Sequence, residues 1–284
     1  MTSPALAFRG GDALEVWGDP IEHSRSPGLH TAAYAVLGAP WSYGRRQVAV
    51  DAFDRELAAL DPSFRGLSLT YPLKGCAFAA SATRDRDAEL TGAVNTLILG
   101  ADGGPRGFNT DVGGIVRDLR EHGVDGVDAA AIVGAGATAT SAVVALAELG
   151  ARRIEIVARR EAAVAPLRDL GARLGVAVSA APFTRSSYAA VPLTIAALPG
   201  GTPLDEAAAD AIATAGGVLY DVVYGHWPTP LAAAWERAGG TAVPGFGMLL
   251  HQALLQVRAF VSGDVGAELP DEDAVLSAMR AAVA

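Results

Sequence analysis

The chain has 284 residues, enough for two domains of ordinary size, and 51% of them are hydrophobic, which supports a large core and excludes wholesale disorder. The net charge of −9, with no Lys/Arg cluster, excludes a nucleic-acid-binding surface. A single cysteine, Cys76, excludes an intrachain disulfide framework and any multi-thiolate zinc site, and no other metal site is expected.

Asp12, Glu15 and Asp19 interrupt the N-terminal stretch before an apolar run builds, so no secretory signal is expected and the cytoplasm is the expected compartment. Leu14–Trp17 reads as a strand ending at Gly18, and Pro27 opens a helix running through Tyr34 to Leu37. Gln47–Val50 reads as the next strand, followed by a short helix capped by Asp51 and ending near Leu60. Leu67–Leu69 is a strand that stops at Thr70, and Pro72 is set for the first turn of a helix. Thr70 and Lys74 thereby fall on a strand-to-helix corner, where loops present chemistry on a rigid scaffold. Cys76, just inside that helix, reads as a small buried filler. Ala93–Leu99 is a further strand, Asp102-Gly103-Gly104 a hairpin-like turn, and Val112–His122 a helix leading into a second domain.

From Ala129 the rhythm becomes βαβ. Strands are expected at Ala130–Val133, Ile154–Ala158, Leu193–Ala197 and Val218–Val222, with helices at Ala137–Leu149, around Pro166–Leu174, and at Leu204–Ala215. Near-continuous apolar strands alternating with helices indicate a parallel sheet covered on both faces. The uncharged run from Ala129 to Ala147 contains Gly134, Gly136, Thr138, Thr140 and Ser141, so strand, turn and helix explain it better than a membrane span. An apolar helix from Met248 to Val261 and a last helix near Asp271 close the chain and are expected to return to the first domain.

Gly134-Ala135-Gly136-Ala137-Thr138-Ala139 fits G-x-G-x-x-A directly between a strand and a helix. The glycines permit a tight turn and close approach to a pyrophosphate, which the helix N-terminus favours. The next strand exits through Arg159-Arg160 rather than through a carboxylate. Arginine forks suit a 2′-phosphate, so NADP is expected over NAD. A Lys and an Asp on polar corners beside a dinucleotide site suggest proton transfer coupled to hydride transfer.

Four polar clusters precede this loop: Ser24 and Ser26 in His-Ser-Arg-Ser-Pro; Thr70 with Lys74; Asn95 in Gly-Ala-Val-Asn-Thr; and Asp111 in Asn-Thr-Asp. Together with the Gly-Met-Leu-Leu-His-Gln segment at 247–252, they resemble the shikimate dehydrogenase family, and the resemblance runs from Gly18 to Gln252. It implies an α/β fold with an N-terminal α/β substrate domain, residues 1–108 with 247–284 returning to it. A Rossmann-like doubly wound parallel sheet for NADP would occupy 109–246, with a cleft between the two. It implies reversible NADPH-dependent reduction of 3-dehydroshikimate to shikimate, in a monomer or homodimer with no membrane partner.

Carried onto this sequence, the family pattern makes Lys74 and Asp111 the catalytic pair and puts Ser24 and Ser26 on the substrate carboxylate. Unaided, those two hydroxyls would equally cap the helix at Pro27. Ser68, Thr70, Asn95, Tyr224 and Gln252 match substrate-binding positions. Gly134, Ala135, Gly136, Ala137, Thr138, Arg159, Arg160, Gly245 and Met248 match the cofactor side. Ser68 stands where the pattern has asparagine, which implies a shorter-reaching or water-mediated contact. The usual Asn-Arg-Thr is Ala158-Arg159-Arg160, a later arginine is replaced by Ala163, and Ala196-Ala197-Leu198-Pro199 replaces Asn-Ala-Thr. An NAD-dependent quinate/shikimate dehydrogenase and a nucleotide-sensing homologue without chemistry are the rival readings; the arginines count against the first, and Lys74 with Asp111 against the second.

Overall fold

The computed structural model describes residues 11–100, 103–225 and 227–283. Asp102 of the expected turn and the two ends of the chain lie outside them. Two compact units emerge, Met1–Gly114 with Leu250–Ala284, and Ile115–Leu249.

In chain order the first unit contains β1 (Ala13–Gly18), α1 (Ser26–Leu37), β2 (Ser42–Gln47), α2 (Phe53–Ala58), β3 (Phe64–Leu69), α3 (Lys74–Ala80), β4 (Thr83–Arg84), α4 (Arg86–Thr91), β5 (Thr96–Ile98) and β6 (Arg106–Phe108). α5 (Asp111–Glu121) follows. The six strands form one mixed sheet in the order β2-β1-β3-β5-β6-β4. β1 pairs in parallel with β2 and β3, whereas β5 runs antiparallel to both β3 and β6. Trp17, Phe53, Leu67, Leu69, Leu73 and Leu97 pack together beneath it, each almost fully shielded. Cys76 is only half-buried at the edge of this cluster.

Two expectations shift here. The second strand lies at Ser42–Gln47, ahead of its expected place, and Val50–Ala52 is a 3₁₀ turn. As an edge strand with one partner, it needs no apolar run, so its polar sequence hid it. Pro72 precedes α3 rather than sitting inside it: the Leu73 N–H closes a turn onto the Thr70 carbonyl at 2.8 Å, and the helix begins at Lys74.

The second unit continues with β7 (Ala129–Val133), α6 (Ala137–Glu148), β8 (Arg153–Val157), α7 (Ala165–Leu174), β9 (Ala177–Ala181), β10 (Leu193–Ala196), α8 (Glu206–Ala213), β11 (Val218–Asp221), α9 (Pro230–Arg237) and β12 (Thr241–Pro244). α10 (Phe246–Ser262) and α11 (Glu272–Ala281) complete the chain. The second sheet is parallel throughout, in the order β12-β11-β10-β7-β8-β9. Strand order reverses between β7 and β10, and in open α/β sheets the loop at such a switch point is where a ligand is received. Val133, Val157, Leu219, Leu231 and Trp235 belong to its core. Among the described residues, no helix is long and apolar enough to cross a membrane.

Candidate active site

β3 ends at Leu69, and the turn at Thr70–Leu73 delivers Lys74 to the first position of α3. Asn109 and Thr110 follow β6 and deliver Asp111 to the first turn of α5, where a helix N-terminus favours a carboxylate. The two corners bring Lys74 Nζ within 2.5 Å of Asp111 Oδ2. Their side chains are 16% and 6% exposed, enough for a substrate to reach the amine while water around the carboxylate is scarce.

The carboxylate is aimed from behind. Asn95 Nδ2 donates to Asp111 Oδ1 at 2.8 Å and to Thr110 Oγ1 at 2.9 Å, while Asn95 Oδ1 accepts from the Thr110 N–H and from Thr96 Oγ1. The Asp111 N–H donates to Asn109 Oδ1 at 3.0 Å, and Asn109 Nδ2 is itself held by Thr91 Oγ1 and the Ala93 carbonyl. Asp85 accepts the Asn109 N–H and caps α4 at the Ala88 N–H; burial pushes its carboxyl above the ordinary carboxylate range. Each buried polar group in this corner has a partner, as a low-dielectric site requires.

A second network joins the first through the Asn95 backbone. The Asn95 carbonyl accepts from the Leu69 N–H at 2.8 Å and from Gln256 Nε2 at 3.0 Å. Gln256 Oε1 accepts from Ser68 Oγ at 2.9 Å and lies 3.1 Å from His30 Nε2. Because that oxygen can only accept, the imidazole proton sits on Nε2, and Nδ1 takes the Tyr34 hydroxyl at 3.0 Å. Complete burial lowers the His30 pKa to about 3, against the raising effect of Gln256, so the ring is neutral. Tyr43 stacks on it at 4.0 Å between centroids and donates to Ser68 Oγ at 2.6 Å.

The expected carboxylate serines stand at the start of α1. Ser26 is its first residue, Arg25 occupies the cap position, and neither serine caps the helix through its side chain. Ser24 Oγ accepts the N–H of Ser26, the first residue of the helix, at 3.3 Å, so one of the two hydroxyls serves the helix N-terminus from a local turn, although not from the cap position. Ser24 is half-buried and Ser26 buried. Thr70 is half-buried at the end of β3, and Gln252 half-buried on α10. Ser68 is 3% exposed, enclosed between Tyr43 and Gln256. Tyr224, in the second unit, is exposed.

In the second unit the loop after β7 is built for close approach. Gly134 has φ +118°, and a Cβ there would lie 2.7 Å from the Ala197 carbonyl, so only glycine fits. Gly136 caps α6 with no side-chain hydrogen bond, leaving the first N–H groups of a 12-residue helix without side-chain partners. Ala135 and Thr138 are half-buried, and Gly136 and Ala137 exposed. Arg159 and Arg160 follow β8, both exposed and with no acidic partner among the described residues. Unpaired donors at a helix N-terminus and two uncommitted guanidiniums fit a pyrophosphate and a further phosphate. Near the ends of β10 and β11 a recess of about 120 Å³ is lined by Leu198, Pro199, Gly201, Asp221, Thr229 and Leu231. Burial raises the Asp221 carboxyl, which accepts from Thr229 Oγ1 at 2.6 Å. Gly245 packs directly on the Val222 backbone, and Met248 is buried.

Reading the sequence missed His30, Tyr43 and Gln256. The one available signal was spacing: Gln256 lies four residues after Gln252, on the same side of one helix.

A glycine turn at the switch point of a parallel sheet is the cofactor-binding arrangement of dinucleotide-dependent dehydrogenases. Residues 16–97 match the shikimate dehydrogenase substrate binding domain. The shikimate dehydrogenase (NADP(+)) of Methylobacterium radiotolerans is 39% identical over 250 residues, covering 84% of this chain and 87% of that protein. Among solved structures, Mycobacterium tuberculosis shikimate dehydrogenase superposes with a TM-score of 0.82 at 36% identity, over 95% of this chain and 99% of that one. Shikimate 5-dehydrogenase from Thermus thermophilus, in complex with NADP(H) and shikimate, gives 0.76 at 28% identity, over 95% and 99%. The chain belongs to the shikimate dehydrogenase family.

Proposed function

We propose that the chain catalyses the reversible reduction of 3-dehydroshikimate to shikimate with NADPH, using Lys74 as the proton donor. The observation that carries this reading is the 2.5 Å approach of Lys74 Nζ to a carboxylate already gripped by Asn95. In the reducing direction Lys74 Nζ gives its proton to the oxygen at C3, and in the reverse direction it takes that proton back. Asp111 orients the amine and accepts a hydrogen bond from the neighbouring substrate hydroxyl. Ser24 and Ser26, at the N-terminus of α1, hold the substrate carboxylate. Thr70, Gln252 and Tyr224 serve the remaining polar groups of the substrate.

When bound, NADPH supplies the hydride. The backbone from Gly134 to Thr138 holds its pyrophosphate, Arg159 and Arg160 its 2′-phosphate, and Gly245 and Met248 stand on the nicotinamide side. A reaction between two soluble small molecules suits a cytoplasmic monomer or homodimer. The test is cofactor oxidation by purified protein with 3-dehydroshikimate and either NADPH or NADH. Oxidation that depends on 3-dehydroshikimate and is faster with NADPH is expected; no oxidation of either nucleotide overturns the proposal.

A further inference from the structure

Asp118, on α5, is a buried carboxylate that the proposed chemistry leaves unused. It is 1% exposed, and its Oδ2 accepts the hydroxyl proton of Tyr220, a fully buried residue of β11, at 2.5 Å. Burial and the neighbouring carboxylate hold that phenol well above its ordinary range, so the proton stays on Tyr220. Among the described residues Asp118 Oδ1 accepts no hydrogen bond, although His122 Nδ1 stands 3.3 Å away. The carboxylate lies instead against Gly247, in the first turn of the 17-residue helix α10, where a Cβ would overlap Oδ1. A negative charge is favoured at that place, because the first N–H groups of a helix have no intrahelical partner. A buried charge is costly unless it is paired, so the phenol and the helix terminus hold it between them.

The same turn is pressed on a second wall. Gly245 seats on the Val222 backbone, and its N–H donates to the Val223 carbonyl at 3.2 Å. Both walls trace to β11, since Val222 and Val223 follow that strand and Tyr220 within it grips Asp118. We propose that Asp118 and Tyr220 are positioning residues for the nicotinamide ring, acting through Gly247 on the turn that carries Met248. This inference rests on the proposed dehydrogenase activity, which puts Gly245 and Met248 on the nicotinamide side. A hydride donor tolerates little displacement: a shift of about 1 Å in a reacting group can cost about 10²-fold in rate.

The decisive variant is Tyr220→Phe, which keeps the ring and removes only the oxygen that holds Asp118. At saturating NADPH and 3-dehydroshikimate, kcat should fall by about 10- to 100-fold. The Kd for 2′-phospho-ADP-ribose, which is NADP without its nicotinamide, should stay unchanged. General loosening of the cofactor face would weaken that ligand too, so the pair of readings separates positioning from mere structural support. Gly247→Ala drives the same turn off the carboxylate and should give the same split. Because both changes act through one carboxylate, the double variant should lose little more than the more impaired single one. An unchanged kcat in Tyr220→Phe overturns the inference, as does a parallel loss of affinity for 2′-phospho-ADP-ribose or a double variant in which the two losses multiply. Should Tyr220→Phe fail to fold, Gly247→Ala decides on the same two readings. Wild-type protein that oxidises no NADPH with 3-dehydroshikimate would instead sink the parent reading.

Discussion

In the unit that carries Lys74, working side chains are held by other side chains; in the unit that carries the glycine loop, recognition falls to backbone N–H groups and two exposed arginines. Asp111 has Lys74, Asn95 and Asn109 as fixed partners, and the Asn95 carbonyl ties that corner to Gln256, Ser68 and Tyr43. Arg159 and Arg160 have no such support, and the α6 N-terminus has no side-chain cap. The difference teaches that chemistry and recognition ask different things of a fold. A proton transfer needs a group fixed to within a fraction of an ångström, whereas a pyrophosphate needs only converging donors and room.

The largest effect should come from Lys74→Ala, which is expected to lower kcat by about 10²–10⁴ while NADPH binding, followed by fluorescence titration, stays unchanged. A loss of cofactor affinity instead would break the division of labour between the units. Next in size, replacing Arg159 and Arg160 together by Ala should raise KM for NADPH by about 10- to 100-fold and leave KM for NADH unchanged. Because these guanidiniums are exposed, the discrimination should shrink as salt is raised. An equal effect on both nucleotides would remove the arginines from the 2′-phosphate.

The smallest effect concerns stability. His30 is lowered from 6.5 to about 3 in the folded state, and the ionisable groups facing it, Tyr34 and Tyr43, have raised pKa values and stay uncharged. The unfolded chain therefore takes up a proton there first as pH falls. The stability associated with the neutral ring is complete above about pH 6.5 and declines towards pH 3, by at most about 1.4 kcal/mol per pH unit. Urea titrations at pH 7 and pH 5 should show this loss in wild type and a flatter response in His30→Asn. An identical pH response in the two proteins would mean that the ring takes up its proton without unfolding the chain.

The same contrast governs how much was legible in the sequence. The turn from β7 to α6 announced itself because an apolar strand, two glycines and an uncharged helix follow one another within twenty residues. Buried parallel strands such as β10 and β11 were visible for the same reason. β9, with the sequence Ala-Val-Ser-Ala-Ala, and β12 went unnoticed, since edge strands bury one side and carry little pattern. α4 and α9 are short, and their end signals, Asp85 with Gly92 and Thr229 with Pro230, enclose too few residues to show a periodic pattern. Within the site, the polar corners at Thr70–Lys74 and Asn109–Asp111 could be found from turn chemistry. Their pairing could not, and it came from the family resemblance. Nor does anything local link Ser68 to Gln256, which stand 188 residues apart in the chain.

Asn95 carries a consequence of its own. Its amide gives two hydrogens, one to Asp111 and one to Thr110, and its oxygen accepts from Thr96 Oγ1 and from both the N–H and Oγ1 of Thr110, while its main-chain carbonyl takes two more. Aspartate would match that outline almost atom for atom, yet turn a donor into an anion facing another anion. The position is therefore selective for the count of protons rather than for shape, and a single deamidation there would disarm the lysine without displacing one heavy atom of the scaffold.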